Sequence, residues 1–255
     1  ILENDPGRQA LVNPRPRRGR SSAPECVVLC VFLEVIDELC GADRAKEVTA
    51  FKWEHGTHRL FALPTDHGTV GVLHPGVGAP MAAGMLELAI VSGGRYFVAC
   101  GGAGAVIPGL ALGHVVVPSA AVRDEGTSYH YLAPSRELNL EASVVEVLSG
   151  VLADHEVPYQ VGKTWTTDAP YRETPARIRR RREEGCLTVE METAALAAVA
   201  RFRGVSFGQF LYAGDDVSGA AWDHRYWNTH SSRTDLFWLA VEAVTRLSPA
   251  TDPPV

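Results

Sequence analysis

The chain has 255 residues, 46% hydrophobic and 21% charged, with a formal net charge of −6 and a pI near 5.9. That balance excludes a disordered chain and a general nucleic-acid binder, and the length is enough to bury a core in one large domain. Two basic runs, Arg15–Arg20 and Arg177–Arg182, contain no aromatic side chain to stack on a base and are read as solvated faces or loops.

The first 22 residues are rich in Pro, Arg and Asn and hold no apolar signal core, which predicts a loosely held arm on a cytoplasmic protein. "CVVLCVFLEVIDELC" then starts as a buried β-type run and passes into helical spacing, giving a strand and a helix. Its apolar stretch, Val27–Leu33, is too short to span a membrane, so no membrane partner is expected. "TVGVLHPGVGAPMAAGMLELAIVSGG" repeats the logic: a strand through Leu73, a Gly/Pro turn at His74–Pro80, and a small-residue helix ending at Gly93–Gly94.

"RYFVACGGAGAVIPG" reads as a strand and a glycine loop, and "GHVVVPSAAVRDEGTSYHYL" as a strand and a polar loop. Residues 141–153 and 174–184 have helical patterns, while "YQVGKTWTTD" and "VSFGQFLYAGDD" read as strands ending in polar loops. The last helix is "SSRTDLFWLAVEAVTRL", with Ser231 or Ser232 as its N-cap, and "ATDPPV" closes the chain as a tail. No repeat or composition break interrupts residues 23–248, so the expected organisation is an arm (1–22), one α/β domain (23–248) and a tail (249–255).

Five cysteines, Cys26, Cys30, Cys40, Cys100 and Cys186, lack CxxC or Cys/His ligand spacing and read as reduced thiols. No His or carboxylate pair has ligand spacing with a third candidate, so no metal is expected. "HPGVGAP" and "CGGAGAV" are glycine-rich turns, but neither has the Gly-Lys-Ser/Thr of a triphosphate loop nor the dinucleotide GxGxxG spacing. In "LTVEMETAA" two carboxylates, Glu190 and Glu192, stand between a β-like lead-in and an alanine-rich helix, where acid at a helix start would explain either one.

The ordered set of motifs is more specific than any one of them. "GVGAP" (76–80), "GGAGAV" (101–106), "GHVVVPSAAVRDEGTSYHY" (113–131), "TTDAPYRE" (166–173), "VEMETAA" (189–195) and "AGDDVSG" (213–219) occur in the family order of the nucleoside phosphorylase superfamily, which this chain resembles. That group contains uridine phosphorylase, hexameric purine nucleoside phosphorylase and methylthioadenosine nucleosidase, and the resemblance is strongest to a microbial branch of nucleoside phosphorylases.

The resemblance implies a mixed, partly barrel-like central β-sheet flanked by helices, in a dimer or trimer of dimers whose sites borrow residues from a neighbour. It implies cleavage of an N-glycosidic bond, with inorganic phosphate as co-substrate and no other cofactor, to give free base and ribose 1-phosphate. A nucleosidase using water and a silent nucleoside-binding protein are the alternatives. Met191 and Glu192 are implied as ribose ligands, with Glu190 either a further sugar contact or structural. Such a carboxylate suits an oxocarbenium-like transition state.

Asp215 matches the residue that assists a departing purine, although its neighbour Asp216 competes for the role, and Arg225 is placed on that aspartate, on the nucleophile, or in a surface pair with Asp223. Trp165, Thr166, Asp168 and Tyr171 occupy the segment that borders the base; the uracil contacts of uridine phosphorylase are not reproduced there, which favours a purine-like base. For phosphate or another nucleophile, Gly78, Gly101, Gly102 and Arg123 are the candidates, because the family's arginine and Ser/Thr positions are Ala99 and Gly102. Glu34 stands either where nucleosidases carry a water-activating glutamate or on the surface of the first helix. Thr127, Ser128, Tyr129 and His130 are expected to shape the sugar-side wall.

Overall fold

The computed structural model describes residues 5–15, 22–54, 56–226 and 230–249. The tail expected beyond Pro249, and most of the Arg15–Arg20 run, lie outside the described residues. In chain order the elements are β1 (Cys26–Cys30), α1 (Leu33–Gly41), β2 (Lys46–Trp53), β3 (Gly56–Thr65), β4 (Gly68–Leu73), α2 (Ala79–Val91), β5 (Tyr96–Ala105), β6 (Val115–Asp124) and β7 (Glu137–Asn139). They continue with α3 (Ala142–Asp154), β8 (Tyr159–Thr167), α4 (Pro175–Glu183), β9 (Cys186–Glu190), α5 (Thr193–Arg203), β10 (Ser206–Asp216) and α6 (His230–Leu247).

Five strands close into a ring, β5–β10–β6–β8–β9 and back to β5, and β1, β4, β3 and β2 extend the sheet from β5. The central strands read as unbroken apolar runs because helices cover both faces. Val28, Cys30, Val98 and Cys100 face α1, α3 and α6, while Val27, Leu29, Phe97 and Ala99 face α2 and α5. That alternation is the period of two expected of a strand, and it fixes the register in which β1 pairs parallel to β5.

Three local features differ from the sequence reading. The "GGAGA" segment is strand, not loop: Gly101–Ala103 pair with β10 and Gly104–Ala105 with β9. Glycine is needed there for close packing, since a Cβ on Gly101 would lie 2.9 Å from a Val31 methyl and one on Gly102 3.2 Å from the Tyr212 ring. The Arg177–Arg182 run is not a solvated face throughout. Arg181 is buried and bonds Asp124 and Glu184, and Arg182 donates to the carbonyls of Val106 and Ser218. Helix α6 begins at His230, one residue ahead of the expected caps, so Ser231 and Ser232 fall in its first turn.

Near its end β10 slips by one residue against β5, Ala213 pairing with Ala103 and Asp216 with Ala105. This bulge turns Asp215 out of the ladder and away from Asp216. At the other side, β9 stops at Glu190 and α5 starts at Thr193, so Met191 and Glu192 form the corner between them. The bulge and the corner meet at one end of the ring.

Candidate active site

A cavity of about 450 Å³ opens at that end, within the range of small-molecule sites. Its walls include Phe32, Gly102, Gly104, Glu173, Glu190, Met191, Glu192, Asp215 and Arg233. Residues from the ends of β1, β9 and β10, from the middle of β5 and from α6 thus meet in one space.

The two glutamates of "VEMET" differ in their partners. Glu190 accepts from the backbone N–H groups of Glu192 and Thr193, each at 2.7 Å, and from the Thr166 hydroxyl at 2.6 Å. Thr166 Oγ1 also accepts from Ala194 N–H at 3.0 Å, so Glu190 and Thr166 together cap α5, satisfying amides that a helix start leaves open. Burial raises the Glu190 carboxyl above its ordinary range against the pull of these donors.

The Glu192 carboxylate reaches across to the turn before α2, where Gly78 N–H donates to its Oε1 at 2.6 Å. Gly78 has φ +93°, a left-handed conformation that glycine adopts without strain and that aims its amide at the carboxylate. Burial, and then the charge of Glu190, push Glu192 up to about 7.

Opposite stands Asp215, whose Oδ2 accepts from Trp222 Nε1 at 2.6 Å. Asp216 faces elsewhere. Arg225 pairs with its Oδ2, Ser218 N–H donates to its Oδ1 at 2.7 Å, and its backbone bridges to Asp223. Arg225 also donates to the Leu110 carbonyl at 2.7 Å, so it braces the 217–223 loop rather than lining the cavity. The cavity's fourth acid is one the sequence reading did not single out. Glu173 closes a 3-10 turn at Pro170–Arg172, its backbone N–H donating to the Pro170 carbonyl, and its carboxylate lines the cavity. Burial, and then the charge of Asp215, push it up to about 7.

Several expected residues lie apart from this space. Trp165 is fully buried, donates to Asp124 at 3.0 Å and lies under the Arg181 guanidinium. Tyr171 is 99% exposed and does not line the cavity. Asp168 accepts from Gly126 N–H at 2.8 Å and faces a separate groove.

Arg123 is buried, with its guanidinium committed to Ser128, Ser135 and the carbonyls of Leu132 and Ala133, above the Tyr129 ring. Ser128 in turn donates to Glu125. The "RDEGTSYH" cluster is therefore a knot that shapes a loop. Gly101 lies within the sheet, and the extended course of Gly101–Gly104 does not form the anion-binding nest of amides that a glycine loop would.

The cavity is also lined by Arg233, which the sequence reading did not single out. Its Nη1 pairs with Glu34 Oε1, its Nε donates to the Tyr212 hydroxyl at 3.2 Å, and its guanidinium lies 5.1 Å from the Phe32 ring centroid. Glu34, in the first turn of α1, thus stands directly behind a cation that lines the cavity.

A larger groove, about 890 Å³, runs between residues 7–14 and helices α2 and α5. Its carboxylates are already engaged, Glu87 by a two-pronged Arg203 pair and Asp168 by Gly126, so the smaller cavity is the site with chemistry to offer. Among the described residues no cluster of three or more His, Cys, Asp or Glu is placed to hold a metal, and no helix is long and apolar enough to cross a membrane.

The Phosphorylase superfamily matches residues 25–244. A guanosine phosphorylase from Halorubrum lacusprofundi is 30% identical over 151 residues, 59% of this chain and 63% of that protein. A uridine phosphorylase from Thermococcus kodakarensis is 31% identical over 131 residues, 51% of this chain and 45% of that protein. The matched segments thus span less than two thirds of either relative. The crystal structure of purine nucleoside phosphorylase from Toxoplasma gondii in complex with immucillin-H superposes with a TM-score of 0.76 at 18% identity, over 94% of this chain and 98% of that one, a likeness of fold.

Proposed function

The chain belongs to the Phosphorylase superfamily, and from that premise we propose that it cleaves the N-glycosidic bond of a purine-like nucleoside with inorganic phosphate, giving free base and ribose 1-phosphate. One observation carries this reading: Glu192 and the Asp215–Glu173 pair line the same cavity with only the space of a small molecule between them. Glu192, with Met191 beside it, takes the sugar hydroxyls. Its carboxylate, with Glu190 behind it, offsets the positive charge that grows at C1′ as the bond opens.

The departing base needs a proton, because expelling it as an anion is unfavourable at neutral pH. Two neighbouring carboxylates that share one site hold such a proton. Glu173, up to about 7, keeps it available beside Asp215. A purine offers a ring nitrogen at which to receive it, whereas the pyrimidine ring of uridine does not in the same position. The guanosine phosphorylase relative is in keeping with this preference, the uridine phosphorylase relative is not, and neither is covered over its full length.

Hydrolysis by water is the second reading, favoured by Glu34, a carboxylate paired with the cavity-lining Arg233. A homo-oligomer with shared sites and a cytoplasmic location remain parts of the proposal, as the family resemblance implies. The test is a panel of purine and pyrimidine nucleosides with phosphate, followed by release of free base. Guanosine, inosine or adenosine turning over at least tenfold faster than uridine is expected; uridine as the best substrate would overturn the base assignment.

A further inference from the structure

Arg233 is the one cation among the described residues that line the cavity, while Glu173, Glu190, Glu192 and Asp215 are all acids. The cation is itself held beside another acid, Glu34, and is fixed on its far edge by the Tyr212 hydroxyl. Tyr212 occupies the room that a side chain at position 102 would need, its hydroxyl 3.3 Å from a Cβ built on Gly102. Burial pushes its phenol up, so that the hydroxyl stays neutral and Arg233 keeps its full charge. The result is a guanidinium–carboxylate edge, braced by Tyr212 and faced by the Phe32 ring.

An anion approaching this edge meets a donor and an acceptor at once. An oxyanion with no proton sets its oxygen against the Glu34 carboxylate, which repels it; one that carries a proton turns that contact into a hydrogen bond. We propose that Arg233 and Glu34, with Tyr212 as the positioning residue for Arg233, form a subsite for a protonated oxyanion, hydrogen phosphate, and reject an unprotonated one such as sulfate. The subsite rests on the phosphorolytic reading above and adds to it a selection rule for the anion.

The rule also balances the reaction. A phosphate oxygen forms a bond to C1′ as the C1′–N bond breaks, and the electron pair goes to the base nitrogen, which takes a proton from the Asp215–Glu173 pair. The P–OH proton passes to Glu34, leaving a dianionic sugar phosphate. Exchange with solvent then returns a proton to the acid pair, so that overall the hydrogen of hydrogen phosphate ends on the base.

The test is calorimetric binding of inorganic phosphate and of sulfate to the full chain, beside steady-state KM values for phosphate and for nucleoside. The wild-type chain is expected to prefer phosphate by about tenfold or more, the worth of one charge-assisted hydrogen bond. Glu34→Gln, whose amide can donate, should gain sulfate binding and bring the ratio close to one. Arg233→Gln should weaken both anions by about tenfold and raise KM for phosphate more than KM for nucleoside. Arg233→Lys, which keeps the charge, serves if the Gln variant does not fold, and should lose less. An unchanged phosphate-to-sulfate ratio in Glu34→Gln overturns the subsite even if the chain consumes phosphate. Base release without phosphate consumption in the wild type overturns the phosphorolytic reading and the subsite with it.

Discussion

Adjacent acidic residues in this chain carry different work because the backbone turns between them. Asp215 and Asp216 are indistinguishable in "AGDD", yet the β-bulge sends one into the cavity and leaves the other to Arg225 and the 217–223 loop. Asp215→Asn should therefore lower kcat for a purine nucleoside by about 10²–10⁴-fold, the typical worth of a positioned acid, with little loss of stability. Asp216→Asn should cost stability, about 1–3 kcal/mol from a charged pair broken in a part-buried place, and reduce kcat far less. Steady-state rates and urea midpoints on the two variants decide this, and the reverse pattern would move the acid to Asp216. The sequence carried the residue types here but not the bulge, since nothing in a pair of aspartates announces an extra residue in a ladder. Arg233 was illegible for a different reason: it lies 18 residues beyond Asp215 in an ordinary amphipathic pattern, and only the packing of α6 against β1 and β5 brings it to the site.

At the scale of elements, the corner between β9 and α5 is what presents Glu192. Its geometry depends on Glu190 and Thr166 capping the helix from inside the core. Thr166→Val keeps the shape but removes one donor to a buried carboxylate and the acceptor for Ala194 N–H. A loss of about 2–4 kcal/mol is expected, read as a lowered denaturation midpoint, along with a fall in activity as the corner loosens. Full stability in that variant would show that the cap is not what holds the corner. Strand-then-helix order was legible from apolar periodicity for β1–α1, β4–α2 and β9–α5, and the glycine turn before α2 from its Gly/Pro content. The β2–β3 hairpin and the strand character of "GGAGA" were not. Glycine has no strand preference of its own, and β5 is extended there only because Val31 and Tyr212 pack closely against it.

On the scale of the whole molecule, a closed ring of five strands with helices on its outside has, among the described residues, an opening at one end where acids collect. Holding Glu192 and Glu173 near 7, against an ordinary value of 4.5, means that the folded chain binds more protons than the unfolded chain between those values. Their contribution to stability is accordingly full below about 4.5 and is lost as pH rises toward 7 and beyond. Glu192→Gln removes the share of Glu192, so the variant should gain on the wild type with rising pH, by an amount on the order of 2 kcal/mol. Urea unfolding of both proteins across that window tests this; a gap that stays constant or closes as pH rises would contradict it. Motif order pointed to Glu190, Met191, Glu192 and Asp215, which the fold brings to one cavity, whereas Trp165, Asp168 and Tyr171 lie outside it and Arg233 reaches it through long-range packing that no motif records.

The central claim is that this cavity transfers a ribosyl group from a purine nucleoside to phosphate. The most direct measurement is a phosphorus NMR spectrum of the chain incubated with guanosine or inosine and inorganic phosphate. The phosphate resonance is expected to decline as a sugar 1-phosphate resonance grows, in step with free base, and neither change is expected in Glu192→Gln. Free base appearing while the phosphate resonance stays constant would contradict it.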